Sequence, residues 1–216
     1  MKPPAVRIVL ISDTHGLHRQ MPPVPDGEIV VHAGDGTRRG LADETAEFLQ
    51  WFGGLPHQHK LMIAGNHDFL FEQEPARAES LIPAGVTYLR DSGTTIAGLR
   101  FWGSPWQPWF HDWAFNLERG EPLAEKWRLI PADTDVLVTH GPPHGFLDRT
   151  NDHPPRLVGC EALTARLARL PGVRLHVFGH IHEAYGRLRR DGREYVNASI
   201  CDVRYRPVND PIVMEL

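Results

Sequence analysis

Five short apolar runs in this chain end in the same way. Val6–Ser12 is followed by Asp13-Thr14-His15-Gly16, Glu28–His32 by Ala33-Gly34-Asp35-Gly36, and Lys60–Ala64 by Gly65-Asn66-His67-Asp68. Asp135–Thr139 is followed by His140-Gly141-Pro142-Pro143, and Arg174–Phe178 by Gly179-His180-Ile181-His182. Short β-branched and apolar runs of this kind suit strands buried on both faces. Each is closed by a turn that sets Asp, His or Asn beside a glycine, where the backbone can bend sharply and come close to a ligand. In α/β sheets, ligands collect outside the carboxyl ends of the strands. Five such ends can therefore converge on one point.

The segments between them complete an α/β pattern. Leu41–Phe52 puts Leu41, Phe48, Leu49 and Phe52 on one helical face, and Gly159–Leu170 does the same with Leu163, Leu167 and Leu170. His67–Ser80 is predicted helical in part, with Pro75 breaking its interior. Asp191-Gly192, between Tyr185–Arg190 and Arg193–Ser199, is a type I′ hairpin signal, and Pro211–Glu215 adds a last strand. Residues 104–118 and 140–158 read as long loops, which in compact domains carry function or move. The expectation is an α/β fold with a mostly buried sheet and an antiparallel C-terminal portion. At 216 residues the chain reads as one domain over 1–216.

Thirteen of the residues are histidines, and their positions decide the chemistry. Asp13, His15, Asp35, Asn66, His140, His180 and His182 offer oxygen and imidazole nitrogen without sulfur, a set suited to zinc, iron or manganese. One four-coordinate zinc needs only three or four ligands. Seven groups, one of them able to bridge, fit two adjacent divalent metal ions that hold a hydroxide for in-line attack on phosphorus. Alone, an Asp-x-His or a Gly-Asp is more often a turn or a helix cap than a ligand. Their occurrence together, all at strand ends, carries the metal reading. His67 adjoins Asn66 and so falls at the rim of such a centre. There, with Asp35 as the second catalytic residue, it either protonates the leaving oxygen or merely packs. Asp68 either orients His67 or a ligand, or caps a helix. No G-x-S-x-G and no P-loop pattern occurs, which disfavours covalent and P-loop chemistry. His32 reads as structural.

Charge narrows the partners. Lys and Arg number 23 against 27 Asp and Glu, a net charge of −4 without any extended basic belt, which argues against a nucleic-acid substrate. No stretch approaches the ~18 apolar residues of a membrane span, and the run near the N-terminus is short for a signal peptide. Cys160 and Cys201 make no disulfide framework, so a reducing, cytoplasmic location is expected. Four of the six tryptophans lie between Trp102 and Trp113. Trp106, Trp109 and Phe110 there either wall a substrate pocket and stack a base or pack the loop onto the body.

The five blocks resemble those of the calcineurin-like metallophosphoesterases: D-x-H, G-D, G-N-H-[DE], a later H, then G-H-x-H. The stretches Gly103–Phe110, Thr139–Pro143, Leu175–Glu183 and Tyr195–Ser199 are similar to the metallophosphoesterase-domain-containing brain proteins and their bacterial relatives, near the class III cyclic-nucleotide phosphodiesterases. The resemblance covers almost the whole chain. It implies a sandwich of two mixed β-sheets flanked by helices. It also implies one metal held by Asp13, His15, Asp35 and His182, and a second by Asp35, Asn66, His140 and His180, with Asp35 bridging. The function implied is dinuclear-metal hydrolysis of phosphodiesters, small (cyclic) nucleotides among them. A phosphomonoesterase, a nuclease, or a slow nucleotide-binding regulator or scaffold are the alternatives. The sequence leaves the oligomeric state open.

Overall fold

The computed structural model describes residues 5–216; residues 1–4 of the expected domain lie outside the described residues. All five anticipated apolar runs form strands, and they lie in the parallel cores of two mixed sheets. In the first, β1 (Arg7–Ile11), β2 (Ile29–Ala33), β3 (His59–Ile63) and the short β4 (Val86–Tyr88) run parallel. The last strand, β13 (Ile212–Glu215), closes its edge antiparallel to β1. The second sheet is built from β5 (Ser92–Ile96), β6 (Leu99–Ser104), β9 (Val136–Thr139), β10 (Leu175–Phe178), β11 (Gly186–Arg190) and β12 (Arg193–Asn197), in the order β11-β12-β10-β9-β6-β5. Its four inner strands are parallel and its two outer ones antiparallel.

Strand periodicity decides what each side chain buries. Ile8 and Leu10 of β1 point between the sheets with Val31, Ile63, Phe101, Val138 and Val177, while Val9 and Ile11 point outward. Outward residues of the first sheet meet Phe48, Leu49 and Phe52 of α1 (Ala42–Gly53). Those of the second meet Leu123 and Trp127 of α4 (Glu121–Arg128) and Leu163 and Leu167 of α5 (Glu161–Leu167). Both faces of both sheets are therefore covered, which is why the strands read as unbroken apolar runs rather than alternating ones. Each large apolar side chain fully buried in these layers contributes about 1.5–3 kcal/mol. No helix among the described residues is long and apolar enough to cross a membrane.

Several expectations drawn from the residue pattern change. The sheet is double rather than single, because β4, β5, β6 and α4 were not anticipated as elements. The β5–β6 turn is Ala97-Gly98 with positive φ at both residues, a hairpin geometry that alanine does not advertise. The Asp191-Gly192 turn does show positive φ at both positions. Residues 104–118 are not an open loop: β7 (Gln107–Pro108) pairs with β8 (Asn116–Leu117) in a small ladder of its own. Pro75 does not sit in a helix interior but opens α3 (Pro75–Ser80) after the short α2 (Phe69–Gln73), since proline is favoured at a first helical turn.

Two buried histidines set an acid limit. His32, under Phe48 and Phe52 of α1, bonds Thr14 Oγ1 at 3.0 Å, and burial pushes its pKa down to about 3. His176 bonds Thr139 Oγ1 at 2.8 Å, and burial lowers it well below 6.5. The unfolded chain protonates both near 6.5, and the folded chain only far lower. Their contribution is thus present above that value and is lost as pH falls. Stability is expected to drop by about 2 kcal/mol per histidine between pH 7 and pH 5. Denaturant titrations of the wild type and His32→Asn at both pH values check this; a pH-independent midpoint overturns it.

Candidate metal centre

The carboxyl ends of β1, β2, β3, β9 and β10 meet at one edge of the two sheets. Asp13 Oδ1 stands 3.3 Å from His182 Nε2 and 3.9 Å from His15 Nε2, and the two Nε2 atoms are 3.1 Å apart. Asp35 Oδ2 lies 3.3 Å from His140 Nε2, 3.8 Å from His15 Nε2 and 4.0 Å from His67 Nε2. Asn66 Oδ1 is 2.9 Å from His140 Nε2. His180 joins through its ring, centred 5.0 Å from that of His140, but belongs to none of the tight trios of ligand atoms.

The backbone is strained to achieve this. Asp13, His15, Asp35 and His180 all adopt positive φ, between 45° and 68°. Side chains rarely take this conformation, and it gathers at functional sites. The backbone also presses against the carboxylates. A Cβ on Gly179 would collide with Asp13 Oδ2, and one on Gly65 with Asp35 Oδ1. Glycine is required at these two places by close approach.

Lone pairs converge here. His140 Nδ1 donates to Ala33 O at 2.9 Å, His182 Nδ1 to Asp202 O at 3.0 Å, and His67 Nδ1 to Arg38 O at 2.7 Å. A carbonyl can only accept, so each ring is held with its Nε2 free to face the centre. There His140 Nε2 looks at two acceptors, Asp35 Oδ2 and Asn66 Oδ1, and His182 Nε2 looks at Asp13 Oδ1. Acceptor against acceptor repels unless a cation or a proton lies between. Without a metal, protons fill that role. Burial opposes charge on His140, but Asp35 outweighs it and raises the pKa to about 9; Asp13 likewise raises His182. Burial would raise both carboxylates, but His182, His140 and His15 hold Asp13 down, and His140, His67 and His15 hold Asp35 down. Burial instead lowers His15 to about 4 and His180 to about 3, leaving neutral rings ready to ligate. Two buried carboxylates ringed by inward lone pairs fit divalent cations.

Of the roles read for Asp68, the contacts fit orienting a candidate ligand, Asp35, rather than orienting His67 or capping a helix. It makes no cap bond to α2 and does not touch the His67 ring. Its Oδ2 accepts from the backbone N–H of Asp35 at 2.9 Å and Gly65 at 2.8 Å, and its Oδ1 from Thr37 N at 3.0 Å and Oγ1 at 2.7 Å. It ties the β2 turn to the β3 turn and so places Asp35. Asp68→Asn turns an amide NH₂ toward these donors and is expected to weaken metal binding about 10–100-fold. Calorimetric titration with Mn²⁺ reads this directly; unchanged affinity overturns the role.

Sequence reasoning passed over Ser199 and Tyr205 in this cluster. Ser199 Oγ lies 2.9 Å from Asp13 Oδ2 and 2.8 Å from Asn197 Oδ1, two acceptors competing for its single proton, and Asn197 Oδ1 also accepts from Ser199 N at 3.1 Å, which fixes the serine beside Asp13. Tyr205 sets its ring 4.8 Å from that of His15, and Trp113 its ring 4.2 Å from that of His67. Tyr205 lies in no motif and Ser199 merely ends the Tyr195–Ser199 stretch, so their contacts are what reveal them. Of the aromatic trio, Trp109 and Phe110 line cavities at the site. Trp106 does not. Its Nε1 donates to Asp91 Oδ2 at 2.8 Å, Lys126 Nζ sits 4.3 Å from its ring, and it packs on Phe115, so it belongs to the loop's own anchor.

The profile of the calcineurin-like phosphoesterase family matches residues 6–184. The chain is also 46% identical over 238 residues to human metallophosphoesterase domain-containing protein 1, covering 100% of this chain and 72% of that one. This chain belongs to the calcineurin-like phosphoesterase family. It is a metallophosphoesterase, from a family of hydrolases acting on phosphoesters. UPF0046 protein K07C11.7 of Caenorhabditis elegans is 37% identical, over 97% of this metallophosphoesterase and 75% of the worm protein. Among solved structures, TT1561 of Thermus thermophilus superposes with a TM-score of 0.60 at 15% identity, covering 89% of this chain and 88% of that one. That likeness bears on the fold alone. It agrees with two mixed sheets flanked by helices, as the motif resemblance implied.

Proposed function

We propose that this metallophosphoesterase is a two-metal phosphodiesterase for small monoanionic phosphodiesters, cyclic nucleotides among them. The observation that carries the reading is the ring of inward lone pairs around Asp13 and Asp35. One divalent ion (Mn, Fe or Zn) would be held by Asp13, His15, Asp35 and His182, and the other by Asp35, Asn66, His140 and His180. Bound there, such ions polarise phosphoryl oxygens and lower the pKa of water. The chain's own groups do the rest. Asp35 sits between the two ligand sets. His67, with Nδ1 committed to Arg38 O, offers Nε2 to the cleft and, as imidazolium, gives its proton to the leaving oxygen. Trp113 holds the ring in place at 4.2 Å.

The cleft favours a diester. About 280 Å³ in volume, it is lined by Asp35, His67, Trp113, His180, Glu183 and Tyr205 among others, with no Lys or Arg among the described residues. A dianionic monoester would gain from a guanidinium fork, and none lines the cleft. A phosphodiester carries one charge fewer. Buried unpaired Cys160 and Cys201 accord with action in the reducing cytoplasm.

The test is turnover of bis(p-nitrophenyl) phosphate by metal-free protein refilled separately with manganese, iron, zinc or magnesium, against p-nitrophenyl phosphate as the monoester. The expected result is metal-dependent turnover with the diester preferred. Preference for the monoester would make the protein a phosphomonoesterase. No turnover with any metal bound would make it a nucleotide-binding regulator.

A further inference from the structure

A second cavity, about 440 Å³ in volume, opens onto the metal cleft and shares Phe110, His180 and Glu183 with it. Its size suits a small organic group. One wall is Trp109 and Phe110, 54% and 53% exposed. Rings left that open usually sit on slack loops, but these do not. Trp109 N donates to Leu117 O at 2.8 Å, and Asn116 Nδ2 to Phe110 O at 3.1 Å and His111 O at 2.7 Å. Gln107 Nε2 braces the same segment through Ala114 O at 2.8 Å. The frame is built, and it presents two half-exposed rings to the cavity, that of Phe110 steadied by the His111 ring centred 4.3 Å away.

The cations facing the cavity are already matched. Arg119 donates to Gly159 O at 2.8 Å and Val158 O at 2.7 Å and pairs with Glu161 at 2.6 Å. Arg156 pairs with Asp152 at 2.6 Å. Glu183, at the junction with the cleft, accepts from Asn151 N at 3.0 Å and has no cation within salt-bridge reach among the described residues. A second phosphate would find both lining guanidiniums already engaged and one facing carboxylate. An uncharged planar group would find two rings to stack on and polar edges to bond. His67, the acid for the leaving oxygen, lines the cleft but not this cavity. The group held here is therefore the one that stays on phosphorus.

We infer that this cavity is the subsite for the retained arm of the diester, an uncharged aromatic group of nucleobase size stacked on Trp109 and Phe110. The inference rests on the diesterase reading. It is tested by comparing bis(p-nitrophenyl) phosphate, whose retained arm is aromatic, with methyl p-nitrophenyl phosphate, whose retained arm is not. In a Trp109→Ala/Phe110→Ala variant, the ratio of kcat/KM values for the two is expected to fall about 10-fold or more, mainly through KM, as expected for lost base–aromatic stacking. Trp109→Phe should restore most of it. Equal losses on both substrates overturn the subsite. A second readout needs no turnover: saturation-transfer NMR of adenosine with metal-free protein should show contact in the wild type and none in the double variant. Absent turnover with adenosine contact intact sinks the diesterase reading alone. Absent adenosine contact sinks the subsite.

Discussion

Asp35→Asn is expected to lower kcat/KM for bis(p-nitrophenyl) phosphate by about 10⁴-fold, the scale on which removing one member of a catalytic unit acts. The reason lies in what surrounds the carboxylate. Asp35 Oδ2 lies within 4 Å of three imidazole nitrogens, those of His15, His67 and His140. His67 N meanwhile donates to its Oδ1 at 2.8 Å. An amide keeps the shape but removes the charge shared by both proposed ions. It also presents either a neutral oxygen or an N–H to nitrogens that need a cation between them. Metal content by elemental analysis is expected to fall from two equivalents per chain to one or none. His140, raised to about 9 by Asp35, is expected to lose that elevation, readable from its ring proton shifts in metal-free protein. A variant that retains two equivalents and its turnover would overturn the bridging assignment.

His67→Ala has the second large effect, and its signature is selective. A positioned acid contributes about 10²–10⁴ in rate when the leaving group needs a proton. A p-nitrophenolate leaves without one, whereas opening a cyclic nucleotide expels an alkoxide. The variant is therefore expected to lose about 10²–10⁴ in kcat on 3′,5′-cyclic substrates and much less on bis(p-nitrophenyl) phosphate, with metal content unchanged. The geometry behind this is the commitment of Nδ1 to Arg38 O at 2.7 Å, which leaves Nε2 alone to serve the cleft. A loss of equal size on both substrates would reduce His67 to a packing residue beside Trp113.

Much of this was legible in the order of residues alone. The five strand ends were readable because strands covered on both faces are unbroken apolar runs, and because aspartate, asparagine and histidine after such a run have little reason to cluster unless they ligate. The ligand types and their number pointed to two hard or borderline cations. The mixed double sheet was less legible. Val86–Tyr88 and Ser92–Ile96 are short and half-exposed, so their patterns carry little signal, and the Ala97-Gly98 turn hides its hairpin behind an alanine.

Asp68 shows where one-dimensional reading stops. Its place after His67 pointed to that ring, to an unspecified ligand or to a cap, and only the fold shows that its oxygens reach backbone groups of Asp35 and Thr37, some thirty positions away. Trp106 and Trp109 are three residues apart and read alike, but one is locked to Asp91 and the other stands half-exposed over a cavity.

By itself the sequence determined which atoms this protein can bring to a reaction, because composition and strand periodicity are local properties. It also determined that those atoms sit at strand ends, because the turn residues are adjacent in the chain. Only the tertiary structure decided which ring nitrogens face inward. That choice is made by carbonyls of Ala33, Asp202 and Arg38, each remote from the histidine it binds. Only the tertiary structure, too, placed an aromatic cavity beside the cleft, since that depends on two loops meeting across the second sheet. Hydrogen bonds and stacking act through space, and nothing in residue order records them.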